Sequence, residues 1–503
     1  MHVPWWSRRD YNALLILLMV LPLLWPAVIP LEDLPGHMGR FRIQAGVSDA
    51  PTLAETFSIH WMPVGNLGID LIVLALQPVL GIELATKLAI ILLIITLLVG
   101  LLIVIKEAHG EIPATAAFAL PLAYAYPFQF GFVNFWLASG LALLIFGLVL
   151  RYQRLERSRA WRLLILFGSL AIYFAHIFGW VFFALMVGGN SLYRHFKHYG
   201  LTRTAIRDII LEGLLLCLPL VFIALWRSTD SGGETSSYFD IFHKWGWIES
   251  SLRDRWVQLD GQSALGCVAL IILGLVGALR MNPRLLTILA VLTAFYLFIP
   301  FAFHGLIYAD MRIAPLLLAI GIAALAPRAI MGKRVAAMLA IAALVFVCVR
   351  TAAMTYSYVL ASDDQENYLL ALDHIPKGSR VVALVAPDCP RGWSGSRITS
   401  LASMAIVRRD AFVNAQFEMP GAQLVAVSPS IPREFAYGTS SLVRLPDCDR
   451  PEPKLAERID QIPYDAFDHV WLLGVGPNDR PSVPQLRLVW SNNQSAVYAI
   501  ASK

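Results

Sequence analysis

The chain has 503 residues, of which 57% are hydrophobic and only 15% charged, whereas a soluble domain is roughly half apolar and a quarter charged. Stretches such as Leu88–Ile105 and Val335–Val349 carry no ionised side chain; this excludes an ordinary soluble fold and fits helices that cross a bilayer. The net charge of +5 falls in short basic clusters between apolar runs, a topology signal and not a nucleic-acid footprint, so no nucleic-acid partner is expected.

Arg8 and Arg9 precede the first apolar span, Ala13 to Pro30, which predicts a cytoplasmic N-terminus. No small-x-small cleavage site follows that span, so it reads as a retained helix and not a signal peptide. The polar stretch Leu31–Asn66 is too charged to lie in lipid and forms an external loop. Leu67–Leu80 is apolar but short, which suits a re-entrant or interfacial helix. Further spans are expected at 84–105, 112–128, 132–150, 163–176, 178–190, 208–226, 263–280, 284–302, 313–327 and 335–352, about eleven transmembrane helices in all. This count puts the cluster Arg151, Arg154, Arg157, Arg159 and Arg162 inside, as it does Arg194, Arg203, Arg280, Arg284 and Arg334, in keeping with the positive-inside rule. It depends on splitting 163–190 at His176–Gly179, because one long helix there would invert everything downstream.

After about Ala353 the character changes. Val381–Ala386, Val470–Gly474 and Leu486–Trp490 are short β-branched or aromatic strands bounded by turn residues, and Arg397–Val407 suits a helix between them. The expected fold class is therefore a polytopic α-helical membrane protein, residues 1–355 with external loop 31–66, followed by a C-terminal α/β periplasmic domain, residues 356–503. No internal repeat is visible. Of the five cysteines, Cys217, Cys267 and Cys348 lie in apolar spans and none has metal-ligand spacing. Cys389 and Cys448 are the pair in the C-terminal domain, where a disulfide is chemically allowed if that domain is periplasmic.

The segment richest in chemistry is Leu31-Glu32-Asp33-Leu34-Pro35-Gly36-His37-Met38-Gly39-Arg40-Phe41-Arg42. Two adjacent carboxylates leave the first helix where lipid headgroups begin. Pro35 and Gly36 impose a turn, after which His37 and Arg40 share one face of a helix. Asp33 as a simple N-cap is the structural alternative, but ionisable groups at a membrane boundary are functional by default. A second cluster, His304, Asp310 and Arg312, lies between later spans; an Asp–Arg pair there also suits a structural salt bridge. His60 and His176 suit structural histidines, and Asn134 a satisfied helix end. Loop 226–262 holds Trp226, Trp245, Trp247, Trp256, Tyr238 and Phe239, fit for sugar stacking or for an interfacial aromatic belt. Its acids, Asp230, Glu234, Asp240, Glu249 and Asp254, show no spacing that demands a metal.

In its layout and its acidic motif the sequence resembles the GT-C superfamily of membrane glycosyltransferases. In that superfamily a carboxylate in the first external loop is catalytic, juxtamembrane helices follow, and many members end in an external domain. Protein O-mannosyltransferases carry the acidic pair as Asp-Glu, where this chain has Glu32-Asp33, so which carboxylate acts is left open. Some relatives carry Lys-Pro-Pro-Leu before the juxtamembrane helix; here that place reads His60-Trp61-Met62-Pro63, without a phosphate-contacting lysine. The resemblance implies inverting transfer from a polyprenyl-phosphate sugar to an acceptor hydroxyl on the non-cytoplasmic face of a bacterial inner membrane. Asp33 or Glu32 would be the base, and His37, Arg40, Arg42, His60, His304, Asp310 and Arg312 would serve the donor phosphate and substrate. The partners implied are the lipid-linked donor, membrane lipid and a glycan, lipid or protein acceptor. No cofactor is obligatory, although a divalent cation at the Glu32–Asp33 pair stays open.

Two other classes compete. A transporter or flippase of lipid-linked glycans should show paired broken helices and ionisable groups at mid-membrane, whereas the polar motifs here gather at one face. No Walker-type glycine-rich run is present, which argues against ATP-driven transport. A catalytically inactive GT-C-like binding protein is the third reading.

Overall fold

The computed structural model describes residues 3–225, 235–236, 238–302, 307–389, 392–418 and 423–501. His304, Trp226, Asp230 and Glu234 lie outside the described residues. The chain divides into two compact units: Met1–Leu24, Pro63–Ile69 and Ile90–Tyr356 form the first, and Trp25–Met62, Asp70–Ala89 and Ser357–Lys503 the second.

The first unit is a helical bundle. Among the described residues five segments are long and apolar enough to cross a bilayer: Gly68–His109, Val133–Arg154, Ser158–Ala175, Val257–Leu275 and Ala329–His374, with Pro283–Phe298 a shorter apolar helix. The chain is thus a multi-pass membrane protein. Large apolar side chains face outward along one stripe, Met338, Ile341, Val345 and Val349; such a surface is costly in water and at home in lipid. Small residues bring helices close. A Cβ on Gly140 would lie 3.0 Å from the Leu97 backbone nitrogen, and one on Gly179 only 2.3 Å from Ala138 Cβ. Some charges buried in the bundle are paired, which offsets the cost of burying them: Arg350 Nη1 lies 2.6 Å from Asp260 Oδ1.

Several sequence boundaries are observed and others are corrected. Gly81, at φ 71°, breaks Gly68–His109 into a short and a long helix, as the expected segments 67–80 and 84–105 require. The break between Ser158–Ala175 and Ile177–Tyr199 falls at His176, whose Nδ1 accepts from the Phe178 N–H at 3.1 Å. Asn134 Oδ1 accepts from the Ile69 N–H at 2.6 Å, satisfying the start of Gly68–His109. Segment 112–128 is not one α-helix but a 3-10 stretch, Ala116–Tyr124, and the short helix Tyr126–Phe130, because Pro121 and Pro127 each remove a backbone donor. Segment 208–226 is interrupted between Arg203–Leu214 and Leu218–Leu225, just before Pro219. The last long helix, Gly332–Leu369, runs well past the expected residue 352.

The second unit is α/β. Its five-stranded sheet runs Phe412–Val413, Arg380–Val385, His469–Leu473, Ser495–Ile500, Leu486–Ser491 in spatial order. The first three are parallel; the last two add antiparallel, with Val470 opposite Tyr498 and Arg487 opposite Ala499. The three expected strands are present, and Ser495–Ile500 joins them. The expected helix 397–407 is a 3-10 turn, Leu401–Ser403, followed by Met404–Arg409. Cys389 and Cys448 form a disulfide. Unforeseen was the antiparallel pairing of Phe57–Ile59 with Val425–Val427, by which the polar stretch after the first helix contributes a strand to this unit.

Candidate active site

Helix Leu34–Gln44 organises the acidic segment. Pro35 near its start is pre-set for helical φ, and the helix is buried on most sides, through Leu34, Met38, Phe41 and Ile43 among others. Gly36 and Gly39, one turn apart, leave room for close neighbours from the C-terminal part of the chain, Ser400 beside Gly36 and Ser403, Ile406 and Gln416 beside Gly39. A Cβ on Gly39 would lie 2.9 Å from Gln416 Oε1 and 3.2 Å from both Ser403 Cβ and Ile406 Cδ1, whereas one on Gly36 would clear Ser400 Cβ by 3.5 Å.

Asp33 takes the N-cap position of this helix, yet its side chain makes no capping hydrogen bond. An N-cap carboxylate normally accepts from the second or third residue; here the second is Pro35, which has no N–H. Instead the Ser400 hydroxyl donates to Asp33 Oδ1 at 3.5 Å, a long contact. Glu32 and Asp33 are both partly exposed. Glu32 lies over a glycine, since a Cβ on Gly395 would fall 2.7 Å from Glu32 Oε2. Two neighbouring carboxylates thus stand side by side at the start of a buried helix.

The sequence-predicted cations divide. Arg40 is buried, 2% exposed, and binds Asp70 through Nε at 2.8 Å and Nη2 at 3.0 Å. Arg42 binds Asp410 Oδ1 through Nη2 at 2.7 Å and donates from Nη1 to the Gly46 carbonyl at 2.7 Å. His37 is half-buried and stacks on Phe41, with ring centroids 6.2 Å apart. His60 is exposed at the end of Phe57–Ile59, 3.2 Å from Ser58 Oγ through Nε2. All of these, with Glu32 and Asp33, belong to the second unit.

Asp310 and Arg312 belong to the first unit. The ion pair expected between them is not the one observed for Asp310: its Oδ2 lies 3.6 Å from Lys244 Nζ, with both side chains buried, and two residues along a helix point apart. Lys244 also donates to the Ile299 carbonyl at 2.6 Å. Burial pushes the Lys244 pKa down and Asp310 opposes that shift. Arg312 donates from Nη1 to the Ile307 and Tyr308 carbonyls at 2.8 and 2.9 Å and lies 4.0 Å over the Phe132 ring.

Asp70, Ser400, Gly395, Lys244 and Asp410 escaped the sequence reading. Only Asp70 left a signal, being the sole charge within Leu67–Leu80. Among the described residues no three metal-ligand-type side chains gather.

No family model and no curated protein matches the chain. Among solved structures it is similar to the crystal structure of ArnT from Cupriavidus metallidurans bound to undecaprenyl phosphate. The likeness covers 97% of this chain and 96% of that one, at 12% identity and a TM-score of 0.48.

Proposed function

We propose that this chain is an integral membrane glycosyltransferase that moves a sugar from a polyprenyl-phosphate donor to an acceptor hydroxyl, with inversion, on the non-cytoplasmic face. The observation that carries this is Asp33: a carboxylate next to Glu32 at the start of helix Leu34–Gln44, in a capping position but without a side-chain capping bond.

In this mechanism Asp33 takes the proton from the acceptor hydroxyl as its oxygen attacks the anomeric carbon. The bond from that carbon to the phosphate oxygen breaks, and the pair of electrons leaves with the lipid phosphate. Glu32 orients the acceptor or the sugar beside it. His37 is our first assignment for the departing phosphate and Arg42 the second, since positive or N–H groups must meet the developing charge. Arg40, engaged with Asp70, is a positioning residue for helix Leu34–Gln44. Arg312 and the Asp310–Lys244 pair support the first unit.

Two features support the orientation. Arg8 and Arg9 flank the first helix on the side expected to be cytoplasmic, and the Cys389–Cys448 disulfide belongs in an oxidising compartment such as the periplasm.

The test is Asp33→Asn in native membranes supplied with polyprenyl-phosphate sugars. Transfer should fall by about 10²–10⁴-fold while the melting temperature stays at the wild-type value. Undiminished transfer removes Asp33 as the base. Movement of the lipid-linked sugar across the bilayer without transfer would establish the transporter reading instead.

A further inference from the structure

A cavity of about 290 Å³ opens in the first unit where the C-terminal ends of helices Gly68–His109, Val133–Arg154 and Ile177–Tyr199 meet the N-terminal end of Pro283–Phe298; Glu107, Gln153, Arg154, Tyr193, Arg194 and Arg284 line it. It shares no residue with the Glu32–Asp33 site. Two of its three arginines are accounted for. Arg154 Nη2 lies 2.8 Å from Glu107 Oε2 and Arg194 Nη1 3.0 Å from Glu212 Oε1. Both also stand in the last turn or near the C-terminal end of their helices, where the helix dipole favours a cation.

Arg284 fits neither account. Among the described residues no carboxylate pairs with it; its guanidinium lies 5.6 Å from the centre of the Tyr193 ring. It sits two residues into helix Pro283–Phe298, the end at which the dipole opposes positive charge. The backbone N–H groups of Arg284 and Leu285 are already taken by Asn282 Oδ1, at 3.0 and 3.2 Å. A basic residue that served only to set topology would point into water, whereas Arg284 is half-buried against a ring. Gln153 adds a second unmet demand: its Nε2 is buried without a hydrogen-bond partner, while its Oε1 accepts from Asn190 Nδ2 at 3.2 Å.

One uncompensated guanidinium, one unused amide donor and two further arginines around a cavity of this size make an anion site, and we infer that the pocket binds a phosphate group. A planar guanidinium and an amide N–H₂ match phosphate oxygens. The phosphate comes either from a free phosphate ion or from the headgroup of an anionic lipid, and the two sources are separable.

The full chain in neutral detergent is titrated with inorganic phosphate by calorimetry. In parallel, phosphatidylcholine nanodiscs with and without phosphatidylglycerol are analysed by native mass spectrometry. Wild type should bind phosphate, or retain phosphatidylglycerol, at least roughly tenfold more tightly than Arg284→Gln, with Arg284→Lys intermediate. Binding in the first arm identifies a free-phosphate site and binding in the second alone a headgroup site. Should Arg284→Gln fail to fold, Gln153→Leu is read in the same two arms. Absence of both ligands from wild type, or equal binding by the variants, overturns the assignment.

Discussion

At the residue scale, Arg40 shows how partners redefine a side chain. From sequence it is a cation seven and eight residues from two acids, a natural choice for phosphate. In the fold Asp70 takes its guanidinium in a fork with both side chains about 2% exposed. A buried pair of this kind contributes little net stability, but losing one member leaves an unpaired buried charge. Arg40→Met or Asp70→Leu alone should therefore cost about 3–5 kcal/mol, and the double variant Arg40→Met with Asp70→Leu should recover most of that loss. Denaturation of the four proteins in detergent checks this; single variants as stable as wild type would show that the pair holds nothing. Asp33 is the contrasting case. Its place beside Glu32 and before Pro35 was legible along the chain, but the Ser400 hydroxyl that meets it comes from the far end of the sequence.

At the element scale, helix Leu34–Gln44 depends on its glycines. Its two glycines face different neighbours with different clearance: added carbon at Gly39 meets Gln416, Ile406 and Ser403 at 2.9–3.2 Å, at Gly36 Ser400 at 3.5 Å. Gly39→Ala should overpack the contact and cost about 1–3 kcal/mol. Gly36→Ala should be neutral or slightly stabilising, since alanine is the better helix former by up to about 1 kcal/mol. Melting temperatures of the two variants decide it, and equal losses would mean that the close contact is not what restrains the helix. Helix breaks were read along the chain beside Gly81 and at His176, whereas the interruption ahead of Pro219 was not, although the proline's own backbone favours it. The 3-10 course of Ala116–Tyr124 was not, because composition alone does not separate an apolar α-helix from a tighter turn packed among neighbours.

At the scale of the whole molecule, the disulfide is the covalent constraint on the second unit. It closes a sequence separation of 59 residues, for which chain entropy alone gives about 4 kcal/mol. Reduction, or Cys389→Ser with Cys448→Ser, should lower the thermal stability of the C-terminal region, read as earlier protease cleavage between the sheet strands on heating. Unchanged cleavage temperatures would show that the sheet core suffices without it.

The sequence by itself determined that this chain lives in a membrane, where its longest helices lie, that a small α/β region ends it, and where two carboxylates adjoin. Each follows from hydropathy, periodicity or the backbone rules of glycine and proline, which act over a few residues. Only the tertiary structure decided that Phe57–Ile59 pairs with Val425–Val427, that Asp70 takes Arg40 and Lys244 takes Asp310, and that Arg284 lines a cavity where, among the described residues, no carboxylate pairs with it. Those outcomes depend on which distant segments meet, and a strand edge or a buried charge carries no local mark of its partner.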